Sequence, residues 1–371
     1  MEEVTIIDYD HHGRGMAKIN DKIVFIPNTM IGEIVKIKVT KNKKNYMEAQ
    51  VIEYIKESKN RIKNLCPYYD KCGGCDILHL PYNEQLQYKE NKIKNIISRY
   101  LKKNIKINNI IKSDKQFNYR NKVTLHAQNS KIGYYERNTN NIIPISNCLL
   151  LDTSLNNYIK TIDKLNEDLI LRTNGKDILD DNNSFIKKNI GRYKYLVSLK
   201  SFFQVNDNVT YKLYEKVKEY CNSTREDNIL DLYCGTGTIG IYLSDECNKV
   251  LGIEINKQAI IDANKNKELN NINNIEFIAS DVSKVINKIK FKPSIIVVDP
   301  PRAGLDEKTI KEIIKMNPKK LIYVSCDPMT LVRDLNILKY YFNIKEITPF
   351  DMFPNTYHVE TIVLMTTNNQ I

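Results

Sequence analysis

The sequence predicts an α/β protein. A Rossmann-like, doubly wound sheet fills the C-terminal half, behind a small all-β barrel and a mixed α+β region. Three observations carry this. Residues 1–57 hold four short strand-like runs (VTIIDYD, KIVFIP, EIVKIKVTK, MEAQVIEYI) punctuated by Gly13, Gly15, Asn20-Asp21 and Gly32. From residue 201 onward apolar strand candidates alternate with helix-like stretches (NILDLYC, VLGIEI, IEFIAS, PSIIVVD, KLIYVSC, ETIVLMTT). Between them, 58–200 is mixed and opens on a cysteine cluster.

The predicted division is 1–57, 58–200 and 201–371, which suits a chain of 371 residues. Residues 82–103 read as a basic amphipathic helix, with Ile93, Ile96 and Ile97 at helical spacing. The polar stretch 173–190 reads as a surface loop. No basic region leads into an apolar run at the N-terminus, and no run of about 18 apolar residues occurs, so a cytoplasmic protein without a membrane span is expected.

The formal charge is +12 and the excess is uneven. Residues 36–64 hold nine Lys/Arg against three Asp/Glu, and 87–122 hold eleven against two. Such clusters suit a polyanion such as RNA, although a Lys-rich solvated surface gives the same composition.

Gly235, Gly237 and Gly240 satisfy G-x-G-x-x-G where a strand enters a helix. The pattern alone fits either a dinucleotide or adenosylmethionine, because both need a tight turn with close backbone approach. Glu254 ends the next strand, 19 residues after Gly235, where a carboxylate can accept both ribose hydroxyls. Asp281 follows the third strand, where it could face an adenine. Asp299-Pro300-Pro301-Arg302 ends the fourth and would sit beside a transferred methyl group. Dinucleotide chemistry has no use for that last turn, so S-adenosylmethionine is expected.

Cys326 ends a fifth strand on the same rim. A thiolate there has a chemical use: added to C6 of uracil, it makes C5 nucleophilic enough to take a methyl group. Its pKa is then expected to be lowered by its surroundings or matched by a base. His358 and Glu360 offer such a base. Asp299 could also hold the N3–H or O4 edge of the ring. Cys66, Cys72, Cys75 and the remote Cys148 offer four thiolates, which fit zinc or an iron–sulfur cluster, the spacing favouring the latter.

Assembled, these residues resemble the bacterial RNA uracil-C5 methyltransferase family, in its branch with a TRAM domain and an iron–sulfur cluster. HHGRGMAKI and VFIPNTMIGE look like TRAM, an OB-like RNA-binding barrel. The resemblance implies a [4Fe–4S] cluster on Cys66, Cys72, Cys75 and Cys148. It implies cofactor contacts from Gln204 (in SFFQVN), Tyr233, Glu254 and Asp299. It makes Cys326 of SCDP the nucleophile and Glu360 of HVET the proton-abstracting base. Thr238, Asp327 and Asn355 depart from commoner family residues, and Thr238 leaves one cofactor contact in doubt. The helix near 84–113 is implied to pack on the catalytic domain. The expected substrate is 23S ribosomal RNA, with transfer RNA as the alternative, and the expected state is a monomer. An adenine-N6 or cytosine-C5 enzyme, or a non-catalytic RNA-binding factor, are competing readings. The first needs no cysteine, and the last leaves the Gln204, Glu254, Asp299, Cys326 and Glu360 set unused.

Overall fold

The computed structural model describes residues 2–63, 65–102, 104–128, 130–162, 167–180 and 184–368. Strands β1 (Glu2–Thr5), β2 (Asp8–Tyr9), β3 (Gly15–Ile19), β4 (Lys22–Ile26), β5 (Ile34–Asn42) and β6 (Tyr46–Lys56) form one sheet in the order β1-β5-β6-β4-β3-β2. Alternation builds it: Val35 and Ile37 point inward, while Lys36 and Lys38 lie towards solvent. Val4, Ile6, Ala17, Val24, Ile26 and Ala49 complete the core that the sheet wraps.

The cysteine loop leads into α1 (Tyr82–Leu101), then β7 (Lys106–Ile107). The helix stops at Leu101 and not near 113, because Lys102 turns left-handed (φ 51°). Ile93, Ile96, Ile97 and Leu101 share a core with Leu331 and Leu335 of the C-terminal half. A second sheet has the order β10-β9-β8-β11-β12, from β8 (Lys122–Gln128), β9 (Lys131–Tyr135), β10 (Ile142–Pro144), β11 (Leu169–Thr173) and β12 (Ile178–Leu179). Helix α2 (Thr153–Ile159) covers one face, over Val123, Leu125 and Leu171.

The stretch 173–190 is not a loop throughout. It holds β12, and also β13 (Phe185–Ile190), which pairs with β14 (Tyr193–Ser198); residues 181–183 lie outside the described residues. Ile186, Tyr195 and Val197 of this hairpin join the core around Val217 and Ile229.

The catalytic half follows as α3 (Asp207–Cys221), β15 (Asn228–Leu232), α4 (Thr238–Leu243), β16 (Lys249–Glu254), α5 (Lys257–Leu269), β17 (Ile275–Ala279), α6 (Val282–Val285), β18 (Ile295–Val298), α7 (Glu307–Met316), β19 (Lys320–Ser325), α8 (Pro328–Leu338), β20 (Phe342–Phe350) and β21 (Glu360–Thr367). The sheet order is β17-β16-β15-β18-β19-β21-β20-β7. Strands β15 to β19 are mutually parallel, and β21 runs antiparallel between β19 and β20. Buried on both faces, the parallel strands are near-continuous apolar runs such as Ile295–Val298. Among the described residues no helix is long and apolar enough to cross a membrane.

Candidate active site

Strand order reverses beside β15, and Glu254, Asp281, Asp299 and Cys326 lie at or just past the carboxyl ends of β16, β17, β18 and β19, with Glu360 at the start of the antiparallel β21. Asp231 on β15 accepts a hydrogen bond from the Gly240 amide (2.9 Å), tying the strand to α4. Between them the backbone turns left-handed at Tyr233, Gly235 and Gly237. A Cβ at Gly237 would lie 2.5 Å from the Phe277 ring, so packing demands glycine there. A Cβ at Gly235 would meet nothing within 4 Å, so its backbone borders an open cradle.

Glu254, at the end of β16, accepts from the Gly235 amide (3.2 Å) and the Asn256 amide (2.8 Å). These bonds hold a half-exposed carboxylate beside the glycine turn, where ribose hydroxyls can reach it. Asp281 caps α6, one oxygen accepting from the amide and hydroxyl of Ser283. Gln204 is buried on the segment before α3, and its backbone carbonyl accepts from the Asn121 side-chain amide (3.2 Å). Tyr233 turns its ring towards Thr309 at the start of α7. The Thr238 hydroxyl already accepts from Tyr214 (2.8 Å). Open cradle, carboxylate and half-buried rim fit adenosylmethionine.

The next group sits one strand further. Asp327 caps α8 by accepting from the amides of Met329 and Thr330, which fixes the turn holding Cys326. Ser325 pairs with Thr361 across β19 and β21, so the antiparallel ladder sets Cys326 next to Glu360. Asp299 stands at the end of β18, the neighbour on the other side. Glu360 is buried, whereas Cys326 and Asp299 are half-buried.

Of the two ways expected to ready Cys326, a lowered pKa or a matching base, the electrostatics correct the first. The Cys326 thiol is not lowered: burial, then the Glu360 and Asp299 carboxyls, push it up to about 12, with Arg302 opposing. Burial and then Asp299 push Glu360 up to about 8. Burial raises Asp299 to about 7. His358 moves the other way, to about 3, through burial and then the cations Arg302 and Lys92. Its imidazole stays neutral at physiological pH and lies against Tyr357 (ring centroids 4.2 Å).

Cys66, Cys72, Cys75 and Cys148 are all free thiols and line one cavity of about 1170 Å³ between barrel and central sheet. Burial, and for each thiol the nearby cysteines, raise Cys66, Cys72 and Cys75. Arg137 pins their loop, donating to the carbonyls of Cys72 (3.2 Å) and Cys75 (2.5 Å) and to Asp76 (3.0 Å). Among the described residues, however, no three His, Cys, Asp or Glu side chains converge closely enough to hold a metal ion.

One residue whose structural part the sequence did not reveal is Asn355. Buried and left-handed (φ 68°), it exchanges two hydrogen bonds with Gln85 and accepts from the Asp76 and Ile77 amides through its carbonyl. It thereby ties the cysteine loop and α1 to the segment leading to Glu360. A left-handed Asn is common in turns, but its partners lie too far away in sequence for spacing to show them.

Residues 1–52 match the TRAM domain, and residues 151–368 match the tRNA (uracil-5-)-methyltransferase model. An uncharacterized RNA methyltransferase of Clostridium acetobutylicum is 34% identical, over 98% of this chain and 96% of its own length. One of Staphylococcus aureus is also 34% identical, over 97% and 96%. Among solved structures, the tRNA (uracil-54, C5)-methyltransferase of Pyrococcus abyssi, in complex with S-adenosyl-L-homocysteine, superposes with a TM-score of 0.78. It is 25% identical, over 98% of this chain and 99% of that one. Glycine turn, methyltransferase sheet and full-length likeness agree: this chain is an RNA methyltransferase belonging to the tRNA (uracil-5-)-methyltransferase family, with a TRAM domain at its N-terminus.

Proposed function

We propose that the chain methylates C5 of a specific uridine in 23S ribosomal RNA, through a covalent adduct on Cys326 and proton removal by Glu360. The observation that supports it most is the pairing of β19 with β21, which sets a thiol beside a buried carboxyl at the methyl-donor rim. S-adenosylmethionine supplies the methyl group as an electrophilic sulfonium. Gly235, Gly237, Gln204, Tyr233, Glu254 and Asp281 bind and orient that cofactor. Asp299 faces the transferred methyl group and the polar edge of the uracil.

The Cys326 sulfur, once deprotonated, bonds to C6, and the C5=C6 electron pair becomes available at C5. After C5 is methylated, Glu360 takes the C5 proton. The electron pair left behind restores C5=C6 and expels the Cys326 thiolate. Arg302, a nearby cation that lowers the thiol, assists its ionisation.

Cys66, Cys72, Cys75 and Cys148 would hold a [4Fe–4S] cluster. Four thiols line one cavity and match that donor set in type and number, although they do not converge on one point in this structure, and the methyl transfer itself needs no electron. The reading takes the chain to be a cytoplasmic monomer. The ribosomal preference follows from the likeness of the cysteine set to that branch of the family. The superposition on the Pyrococcus abyssi enzyme favours transfer RNA as the second reading. Mapping 5-methyluridine by mass spectrometry in both RNAs from a deletion strain decides between them: loss confined to transfer RNA overturns the ribosomal assignment. Labelled methyl transfer with Cys326→Ala tests the mechanism, and full activity in that variant overturns it.

A further inference from the structure

The cavity between the barrel and the central sheet carries more than the four cysteines. His126 on β8 and Tyr135 on β9 share its wall. Their rings are stacked, with centroids 4.1 Å apart and planes at 24°. The local sequence explains the stack. His126 pairs directly with Gly133, which has no side chain, so its ring leans diagonally to Tyr135 on the same face. Asp168 then fixes the imidazole, its Oδ2 lying 2.7 Å from Nδ1, while its Oδ1 accepts from the Ala127 amide at 3.0 Å. The outcome is an aromatic pair held rigid from behind, with Tyr135 44% exposed. A cross-strand pair that served only to brace the sheet would need neither that exposure nor a carboxylate clamp.

The same cavity is lined by Arg120, whose situation is unusual among its cations. Arg14 pairs with Asp10 and Glu48, Lys41 with Glu48, and Arg137 with Asp76. Arg120 makes no ion pair among the described residues, and its buried Nε has no hydrogen-bond partner. A half-buried guanidinium without a carboxylate calls for an anion, which a phosphate can supply alongside the cysteines on the same wall. The cavity continues to Tyr357, which adjoins His358 and the strand of Glu360. An occupant would therefore reach the segment that leads to Glu360.

We propose that His126, Tyr135 and Arg120 form a nucleotide subsite for single-stranded RNA outside the catalytic rim. A base stacks on the His126–Tyr135 pair, and a backbone phosphate meets the Arg120 guanidinium. Stacking on aromatic rings tolerates any base, so the subsite adds affinity and positions the strand without selecting the uridine. This rests on the proposed RNA substrate.

The test uses the full chain with saturating S-adenosylmethionine and substrate RNA. Tyr135→Ala is expected to raise the RNA KM about tenfold, with kcat within about twofold, and Tyr135→Phe to restore it. Arg120→Ala is expected to weaken RNA binding and to reduce the slope of log affinity against log salt by about one. Binding of S-adenosylmethionine by Tyr135→Ala, measured by calorimetry, is expected to be unchanged, which shows that the fold is intact. If the wild-type chain methylates RNA and Tyr135→Ala keeps its KM, the subsite is overturned while the proposed function stands. If the wild-type chain transfers no methyl group to any RNA, the proposed function itself fails and the subsite with it.

Discussion

Cys326 and Glu360 are neighbours because β21 runs antiparallel between β19 and β20. Ser325 opposes Thr361, and the next step along each strand brings the thiol to the carboxyl. In an all-parallel sheet the start of β21 would lie at the opposite rim from the end of β19. The antiparallel return is therefore what puts a buried acid at the methyl-donor edge. Different losses should follow from the two side chains. Cys326→Ala should reduce methylation to background and form no adduct with RNA. Glu360→Gln should keep the nucleophile but slow turnover by about 10²–10⁴-fold. It should also accumulate a methylated RNA–protein adduct, seen as a retarded band on a denaturing gel. Normal turnover without that band would remove Glu360 from the role of base.

The carboxylate of Glu254 links two backbone amides of the cofactor cradle, at Gly235 and Asn256. On the proposed reading, replacing it removes a charged acceptor for ribose hydroxyls and loosens the turn. Glu254→Ala should weaken S-adenosylmethionine binding by about 10–100-fold in calorimetry. Glu254→Gln, which keeps one acceptor, should lose less. Equal affinity in all three proteins would place the ribose elsewhere.

Helix α1 is anchored to the catalytic half by a fully buried ion pair, Lys89 with Asp351 (2.5 Å), and Lys89 also donates to the Phe353 carbonyl (2.9 Å). Removing one partner strands the other charge in the core. Lys89→Met should destabilise the chain by about 3–5 kcal/mol in urea unfolding. Lys89→Met combined with Asp351→Leu should recover much of that loss, since no charge is then left without a partner. A double variant as unstable as the single one would show that the helix is held by something other than charge pairing.

Much of this fold was legible, for identifiable reasons. Parallel strands buried on both faces must be apolar, so Ile295–Val298 and Lys320–Ser325 stand out in the sequence. The glycine turn is legible because Gly237 has no room for a Cβ. β13 was hidden because Lys188, which reads as a loop residue, is buried against Asp207 (2.6 Å). The helix over 82–103 was legible from the spacing of Ile93, Ile96 and Ile97, and only the farther bound near 113, implied by the resemblance, overran Leu101. The raised thiol of Cys326 was beyond reach for another reason. Burial is its first cause, ahead of the Glu360 and Asp299 carboxyls already expected near this rim, and only the packing of distant elements creates that burial. The same holds for Asn355, whose partners are on α1 and the cysteine loop.

The crowding of acids at the rim should be visible in stability. Glu360 has an ordinary value of 4.5 and is raised to about 8 in the folded chain. Between those values the native state holds a proton that the unfolded state releases. Stability therefore falls as pH rises through this window, and its contribution levels off above about pH 8. Asp299, raised from 3.8 to about 7, acts in the same direction. Glu360→Gln places a neutral group in the same space at every pH. Its melting temperature relative to the wild type should rise progressively from pH 5 to pH 8, reaching an advantage on the order of 2–4 °C. The variant would then be more stable and less active, as expected where a buried acid is kept for chemistry. Thermal melts of both proteins at half-unit pH steps measure this. A melting difference that does not change with pH would mean that the Glu360 carboxyl ionises normally in the folded protein.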